Sequence, residues 1–143
     1  MVGGQALDLA AIGTDLDIAQ LEDMHVHKTG ALIRASVLLG AYCAQDLPDA
    51  ARRALDHYGK YIGLAFQIQD DILDVTGSTE ELGKQAGADR ALNKPTYPAL
   101  LGLNGARQRA SELHQAALEC IAGLDQRADP LRWLSEYTVA RSA

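Results

Sequence analysis

Aromatic side chains are scarce in this 143-residue chain, with one Trp, one Phe and five Tyr. The core must rest on Leu, Ile, Val and Ala, which suits helix packing better than a β-sandwich. Cysteines number two, Cys43 and Cys120, which excludes a disulfide framework and suits a reducing compartment. No apolar run approaches the ~18 residues of a membrane span, and no charged-then-apolar signal segment opens the chain. The resulting expectation is a cytoplasmic protein without a membrane span. Positive charge is also short: 13 Lys and Arg stand against 19 Asp and Glu, for a net charge of −6. That balance argues against nucleic acid as partner. It also means that an anionic substrate would be repelled unless metal ions or local lysines reverse the field. There is no strand-like alternation of useful length, no low-complexity tract and no internal repeat. The Gly3-Gly4 pair is not followed by the residues of a phosphate loop, and no EF-hand spacing occurs.

What is present reads with helical period almost throughout, in a length that suits one domain with a real core. Met1 to Ala11 is a short apolar-leaning piece. Asp15 or Asp17 is placed to cap a helix running to about Ala44. Pro48 and Asp49 open a proline-free stretch to Thr76, closed by Gly77, which predicts a helix of about 42 Å. Ser78 or Thr79 starts a short turn, and Gly83 to Pro98 is a break without clear period. Tyr97 to about Leu124 is helical again, with an interruption near Gly102 and Gly105. Asp129-Pro130 opens a last helix containing Leu131, Leu134, Tyr137 and Val139. The architecture expected is all-α, with long helices and one functional-looking loop.

The most informative residues run from Phe66 to Asp74, Phe-Gln-Ile-Gln-Asp-Asp-Ile-Leu-Asp. At ~100° per residue, Gln67, Asp70 and Asp74 fall on one arc of a helix. Leu55, Ile62, Phe66 and Leu73 flank it on one side; Leu64, Ile68 and Val75 flank it on the other. Burying a bare carboxylate costs several kcal/mol, so such groups are usually paired or bind a cation. Oxygen ligands favour Mg²⁺, Mn²⁺ or Ca²⁺ over zinc. Asp70 and Asp74, at i and i+4, project to the same side, while Asp71 points about 100° away. The plainer alternative is a helix end decorated with acids, but acids oppose the dipole near a C-terminus.

A second group is His25-x-His27-Lys28-Thr29-Gly30. Lys28 lies on the otherwise apolar stripe Leu21, Met24, Leu32, Ala35 and Leu39, where it either snorkels or aims a cation inward at an anion. Gly30 in mid-helix costs about 1 kcal/mol relative to Ala and marks a candidate kink, which would free the Thr29 hydroxyl to face a site. The two histidines do not share a helical face, which argues against a zinc pair. Lys84 and Lys94 follow the acids in the irregular stretch, where Asp89 either stands near them or is a plain loop acid. Two loop lysines beside a carboxylate–metal cluster suit an oxyanion such as a phosphate. Gly59 and Gly63 place a smooth strip on the long helix, read as close helix–helix approach in preference to room for a substrate.

These pieces together resemble the trans-prenyltransferases, or polyprenyl diphosphate synthases, most of all the bacterial branch that makes farnesyl diphosphate. The matching segments, in order, are Gly3-Gly4-Gln5-Ala6-Leu7-Asp8, His27 to Ile33, Gly63 to Asp74, Leu82-Gly83-Lys84, Gly87-Ala88-Asp89, and Lys94 with Thr96-Tyr97-Pro98. The resemblance covers essentially the whole chain. It implies an isoprenoid-synthase-type helical bundle around a deep cavity. It also implies a Mg²⁺-dependent (Mn²⁺ possible) head-to-tail condensation of isopentenyl diphosphate with an allylic diphosphate. By the match, Asp70 would hold a Mg²⁺ on the allylic diphosphate, with Asp71 and Asp74 supporting through water. Lys28 and Lys84 would bind that diphosphate, and Thr29 and Gln67 would place oxygens beside the developing allylic cation. Lys94 would sit in a lysine-bearing loop that closes over the site.

The chain also departs from the family pattern. The family has two aspartate-rich motifs and about twice this length, whereas here only the second motif occurs, at 70–74. Met1 fits an internal methionine of the family. The expectation is that residues 1–143 form the C-terminal half of a single all-α prenyltransferase domain, inactive alone. Pro95 after Lys94 is a milder departure that would stiffen the loop. Helices made to bury several faces would expose apolar stripes, which predicts a homodimer or a helix-swapped oligomer. The rival readings are a geranyl or geranylgeranyl diphosphate synthase, a non-catalytic helical regulatory or interaction subunit, and a Ca²⁺-binding helical module.

Overall fold

The computed structural model describes residues 2–44, 46–77 and 94–141. Within them the chain forms α1 (Val2–Ala10), α2 (Ile18–His25), a π-helical turn (Val26–Gly30), α3 (Ala31–Cys43), α4 (Asp49–Thr76), α5 (Tyr97–Cys120), a 3₁₀ turn (Gln126–Ala128) and α6 (Asp129–Ala140). No strand occurs among the described residues, so the all-α expectation is met.

Local chemistry sets the helix boundaries. The Asp17 carboxylate accepts from the Gln20 N–H at 2.8 Å, while the Gln20 side chain accepts from the Asp17 N–H at 2.9 Å. This reciprocal box starts α2. From there the chain stays helical to Cys43, one residue short of the expected end. Within that run the Ala31 N–H reaches back to the Val26 carbonyl, five residues away, which is the signature of a π-turn. Gly30, expected to mark a kink, closes this turn. The long helix spans the 28 residues from Asp49 to Thr76, with Pro48 at its N-cap and Gly77 at its C-cap. The Thr96 hydroxyl accepts from the Ala99 N–H at 3.3 Å and so caps α5, with Pro98 in the first turn. Tyr97 and Pro98 thus belong to a helix, not to the irregular stretch. The interruption expected near Gly102 and Gly105 falls at Gly102 alone (φ 70°).

α4 is the central element. It packs along α5 and against α3, the π-turn and α6. Ile62, Ala65, Ile68 and Ile72 of α4 meet Ala106, Ala110, Leu113 and Ala117 of α5 in one buried cluster with Leu21 and Met24. Tyr58 is fully buried and donates its hydroxyl to the Leu131 carbonyl at 2.7 Å; burial pushes its phenol up to about 12. Where α5 turns into α6, Arg132 donates to the Ile121, Leu124 and Asp125 carbonyls and to the Asp129 carboxylate. On the opposite flank Arg34 of α3 grips Asp56 of α4 through two bonds of 2.6 and 2.8 Å.

Two expected apolar faces are only partly covered. Leu21 and Met24 are buried, but Leu32 and Leu39, on the same stripe, are 50% and 67% exposed. Val75, expected to wall the acids, is 50% exposed as well. Helical period identifies a face, but burial also needs a neighbour to cover it. α6 likewise buries only Ser135 and Thr138, leaving Leu134 and Tyr137 exposed.

Candidate functional site

Close backbone approaches position the candidate residues. A Cβ on Gly63 would lie 2.9 Å from Gly30 Cα, so hydrogen atoms on both sides let α4 and the π-turn touch. Gly59 meets Arg34 in the same way. The glycine strip therefore serves helix contact, as the sequence reading favoured. On α1, a Cβ on Gly4 would collide with the backbone of Lys28 and His27. The first helix is thereby seated directly on the turn that carries Lys28 and Thr29.

Three polar groupings follow. In the first, Asp8 of α1 is 5% exposed. Its Oδ2 lies 3.2 Å from Lys28 Nζ and 3.1 Å from Lys94 Nζ. Burial pushes the Asp8 carboxyl up, but the Lys28 and Lys94 ammoniums outweigh it and hold the group below the usual carboxylate range. In the second, Asp71 of α4 is buried and its Oδ2 accepts from the Tyr97 N–H at 3.0 Å, fixing the start of α5. His25 stacks on the Tyr97 ring at 5.7 Å between centroids, and its Nε2 stands 3.6 Å from Asp71 Oδ2, beyond hydrogen-bond range. Burial, followed by the nearby Glu22 charge, raises the Tyr97 phenol far above its ordinary value. In the third, Asp70 is half exposed and its Oδ1 lies 3.2 Å from Arg141 Nη2; the guanidinium also covers the Phe66 ring at 4.3 Å.

The structure thus brings Lys28 and Lys94 together, although 65 residues of sequence separate them (94 minus 28, less one). It also ties Lys94 to the acidic motif, since Tyr97, three residues on, is bonded to Asp71. Thr29 is half-buried in the π-turn, and Gln67 is buried on α4 at 4% exposure. The three acids themselves diverge: Asp70 faces Arg141, Asp71 faces α5, and Asp74 is 2% exposed. Among the described residues no group of three or more His, Cys, Asp or Glu gathers as a metal cluster. The donor set still fits Mg²⁺, which keeps several waters and needs only one or two carboxylates beside substrate oxygens. Asp70, partly exposed, is suited to that role, whereas one oxygen of Asp71 is committed to the backbone. Lys84, Asp89, and the turn expected at Ser78 or Thr79 lie outside the described residues. His27 is exposed, with Nδ1 at 2.8 Å from the Asp23 carbonyl, so the two histidines point apart.

Sequence reasoning did not single out Asp8 or Arg141. Asp8 sat in a quoted segment, but nothing in its spacing pointed to lysines 20 and 86 residues on (28 minus 8 and 94 minus 8). Arg141 lies 71 residues beyond Asp70 (141 minus 70), without any motif to connect them.

Comparison with known proteins adds a family-level result. Residues 1–129 match the family model described as polyprenyl synthetase. The chain is 50% identical over 145 residues to the farnesyl diphosphate synthase of Escherichia coli (strain K12), covering 99% of this chain and 48% of that protein. It is 44% identical over 143 residues to a chloroplastic geranylgeranyl pyrophosphate synthase of Capsicum annuum, covering 99% of this chain and 38% of that one. A crystal structure of Helicobacter pylori geranyltransferase, complexed with magnesium and isoprenyl diphosphate, superposes with a TM-score of 0.79 at 35% identity. That match covers 97% of this chain and 45% of the other. The chain spans about half the length, or less, of the curated relatives it matches.

Proposed function

The chain belongs to the polyprenyl synthetase family, and on that premise we propose that it supplies the allylic-diphosphate side of a head-to-tail prenyl condensation. The substrates are an allylic diphosphate and isopentenyl diphosphate, and the product is farnesyl diphosphate. The observation that carries this reading is the convergence of Lys28 and Lys94 at one buried carboxylate, linked through Tyr97 and Asp71 to the acidic motif. A chain with net charge −6 needs such a local reversal of field to hold an anion.

Each residue has a role that follows from its chemistry. The allylic C–O bond breaks with its electron pair leaving on the diphosphate, and the isopentenyl double bond then attacks the allylic cation. Lys28 and Lys94 place ammoniums against the oxygens on which charge grows, and Lys84 would add a third by its motif. Asp70, supported by Asp71 and Asp74, would hold Mg²⁺ or Mn²⁺, which would supply further neutralisation of the charge on the diphosphate. Gln67 and Thr29 direct oxygens at the cation, which needs surroundings that keep water away. The departing diphosphate takes the proton lost from the condensed product.

Residues 1–143 would constitute the C-terminal half of a single all-α domain. The other half would bring the first aspartate-rich motif, and the whole protein would work as a cytoplasmic homodimer. No described helix is long and apolar enough to cross a membrane. The test is calorimetric binding of a bisphosphonate to the chain with and without Mg²⁺. Binding that requires Mg²⁺ and is lost in Asp70→Ala is expected; binding indifferent to both would refute the reading. A condensation assay on the chain alone is expected to show no turnover, and turnover would overturn the half-domain proposal.

A further inference from the structure

We propose that Asp8 is a positioning residue of the diphosphate site, holding the Lys28 and Lys94 ammoniums side by side so that both meet the incoming diphosphate. The inference rests on the reading of Lys28 and Lys94 as diphosphate ligands given above. Both ammoniums reach the same oxygen, Asp8 Oδ2, and so stand no more than about 6 Å apart, the two distances laid end to end. Like charges that close, with Asp8 only 5% exposed, repel strongly unless an anion lies between them. Asp8 supplies that anion to both ammoniums.

The design of α1 points the same way. Its buried residues are Gly4 and Asp8 alone, one turn apart on one face. Gly4 meets the backbone of Lys28, and Asp8 meets the ammonium of the same residue. α1 therefore grips Lys28 at both ends and uses the rest of its Asp8 contact to draw in Lys94. Helix stability gives no reason for an acid there, since Asp8 lies in the last turn of α1, where the dipole disfavours a negative charge. Lys94 comes from the segment that precedes α5, so the same carboxylate also fastens that segment to the π-turn.

Charge alone and positioning by Asp8 lead to opposite signs. Removing a negative charge beside a diphosphate should tighten binding; removing a positioning residue should weaken it. The experiment compares the chain with Asp8→Asn and Asp8→Glu, using inorganic diphosphate with Mg²⁺ as the probe. Amine acylation followed by mass spectrometry reads the placement of the two lysines without any ligand. Asp8→Asn is expected to weaken binding about tenfold or more, the scale on which loss of a supporting partner acts. It should also raise the acylation rates of Lys28 and Lys94 together, and Asp8→Glu should restore part of both. Should the Asn variant lose helical circular dichroism, the Glu variant carries the test: binding no better than that of the Asn form overturns the inference. Unchanged or tighter binding by a folded Asn variant likewise overturns it and leaves the functional reading standing. A parent chain whose lysines are protected but which binds no magnesium diphosphate overturns the functional reading, and the purpose assigned to Asp8 with it.

Discussion

Two of the ionic contacts between elements of this molecule are built differently. On the α3–α4 flank, Arg34 and Asp56 form a one-to-one pair with two short bonds, and the Arg34 side chain is 48% exposed. Between α1, the π-turn and the approach to α5, two lysines share one oxygen of a carboxylate whose side chain is 7% exposed. The first contact is balanced and wet, the kind that contributes ~0–1 kcal/mol and serves as a lateral stay. The second gathers two cations at one largely dry carboxylate, where water screens them poorly. A one-to-one pair only ties two helices, whereas two ammoniums set side by side suit an anion with several oxygens.

That contrast can be broken in three ways. Lys28→Met removes one of the two ammoniums at Asp8. Diphosphate binding should fall about 10- to 100-fold, the scale of a charged hydrogen bond, as read by calorimetry, whereas Arg34→Met should leave it unchanged. Equal losses in the two variants would erase the distinction. Next in size, Gly63→Ala forces the π-turn away from α4, since the new Cβ would lie 2.9 Å from Gly30 Cα. Overpacking of this kind costs about 1–3 kcal/mol, measurable by urea unfolding, and should displace Lys28 from its register with the acids. The smallest effect separates the pairs by acid and salt. Asp8 is held below its ordinary value despite burial, by Lys28 and Lys94, and Asp56 by its hydrogen bond to Arg34. A lowered native pKa gives stability that is present above the unfolded value of ~3.9 and is lost as pH falls through the native one. Both contributions should therefore fade below about pH 4. Near 1 M salt the Asp56 share should already be gone at neutral pH, while the Asp8 share persists. Acid titrations of Asp8→Asn and Asp56→Asn at two salt concentrations read this directly.

Much of the scaffold was legible because its signals are local. Pro48, Gly77 and the proline-free run between them delimit α4, and Asp17 with Gln20 marks the start of α2. Asp70, Asp71 and Asp74 stood out because acids rarely interrupt an apolar helix near its C-terminus. What spacing could not reveal were contacts between distant segments. The Asp8 cluster needs three separate elements, and Asp71 turned out to hold the Tyr97 backbone, a partner with no side-chain identity to search for. Gly30 hinted at a distortion but not at its form, a widened turn resting on Gly63. The outward-facing Leu32, Leu39 and Val75 were misplaced because periodicity says nothing about what lies opposite.

The corner built on Arg132 has a consequence for the order in which the molecule assembles. All its bonds fall within 11 residues of sequence, so closing it loses little chain entropy. The link from Asp8 to Lys94 spans 86 residues and must wait for most of the chain to collapse, as non-local contacts do. Pulse-labelling hydrogen exchange should accordingly find amides at the α5–α6 junction protected earlier than those of α1, so that the anion cradle is the last part of the protein to mature.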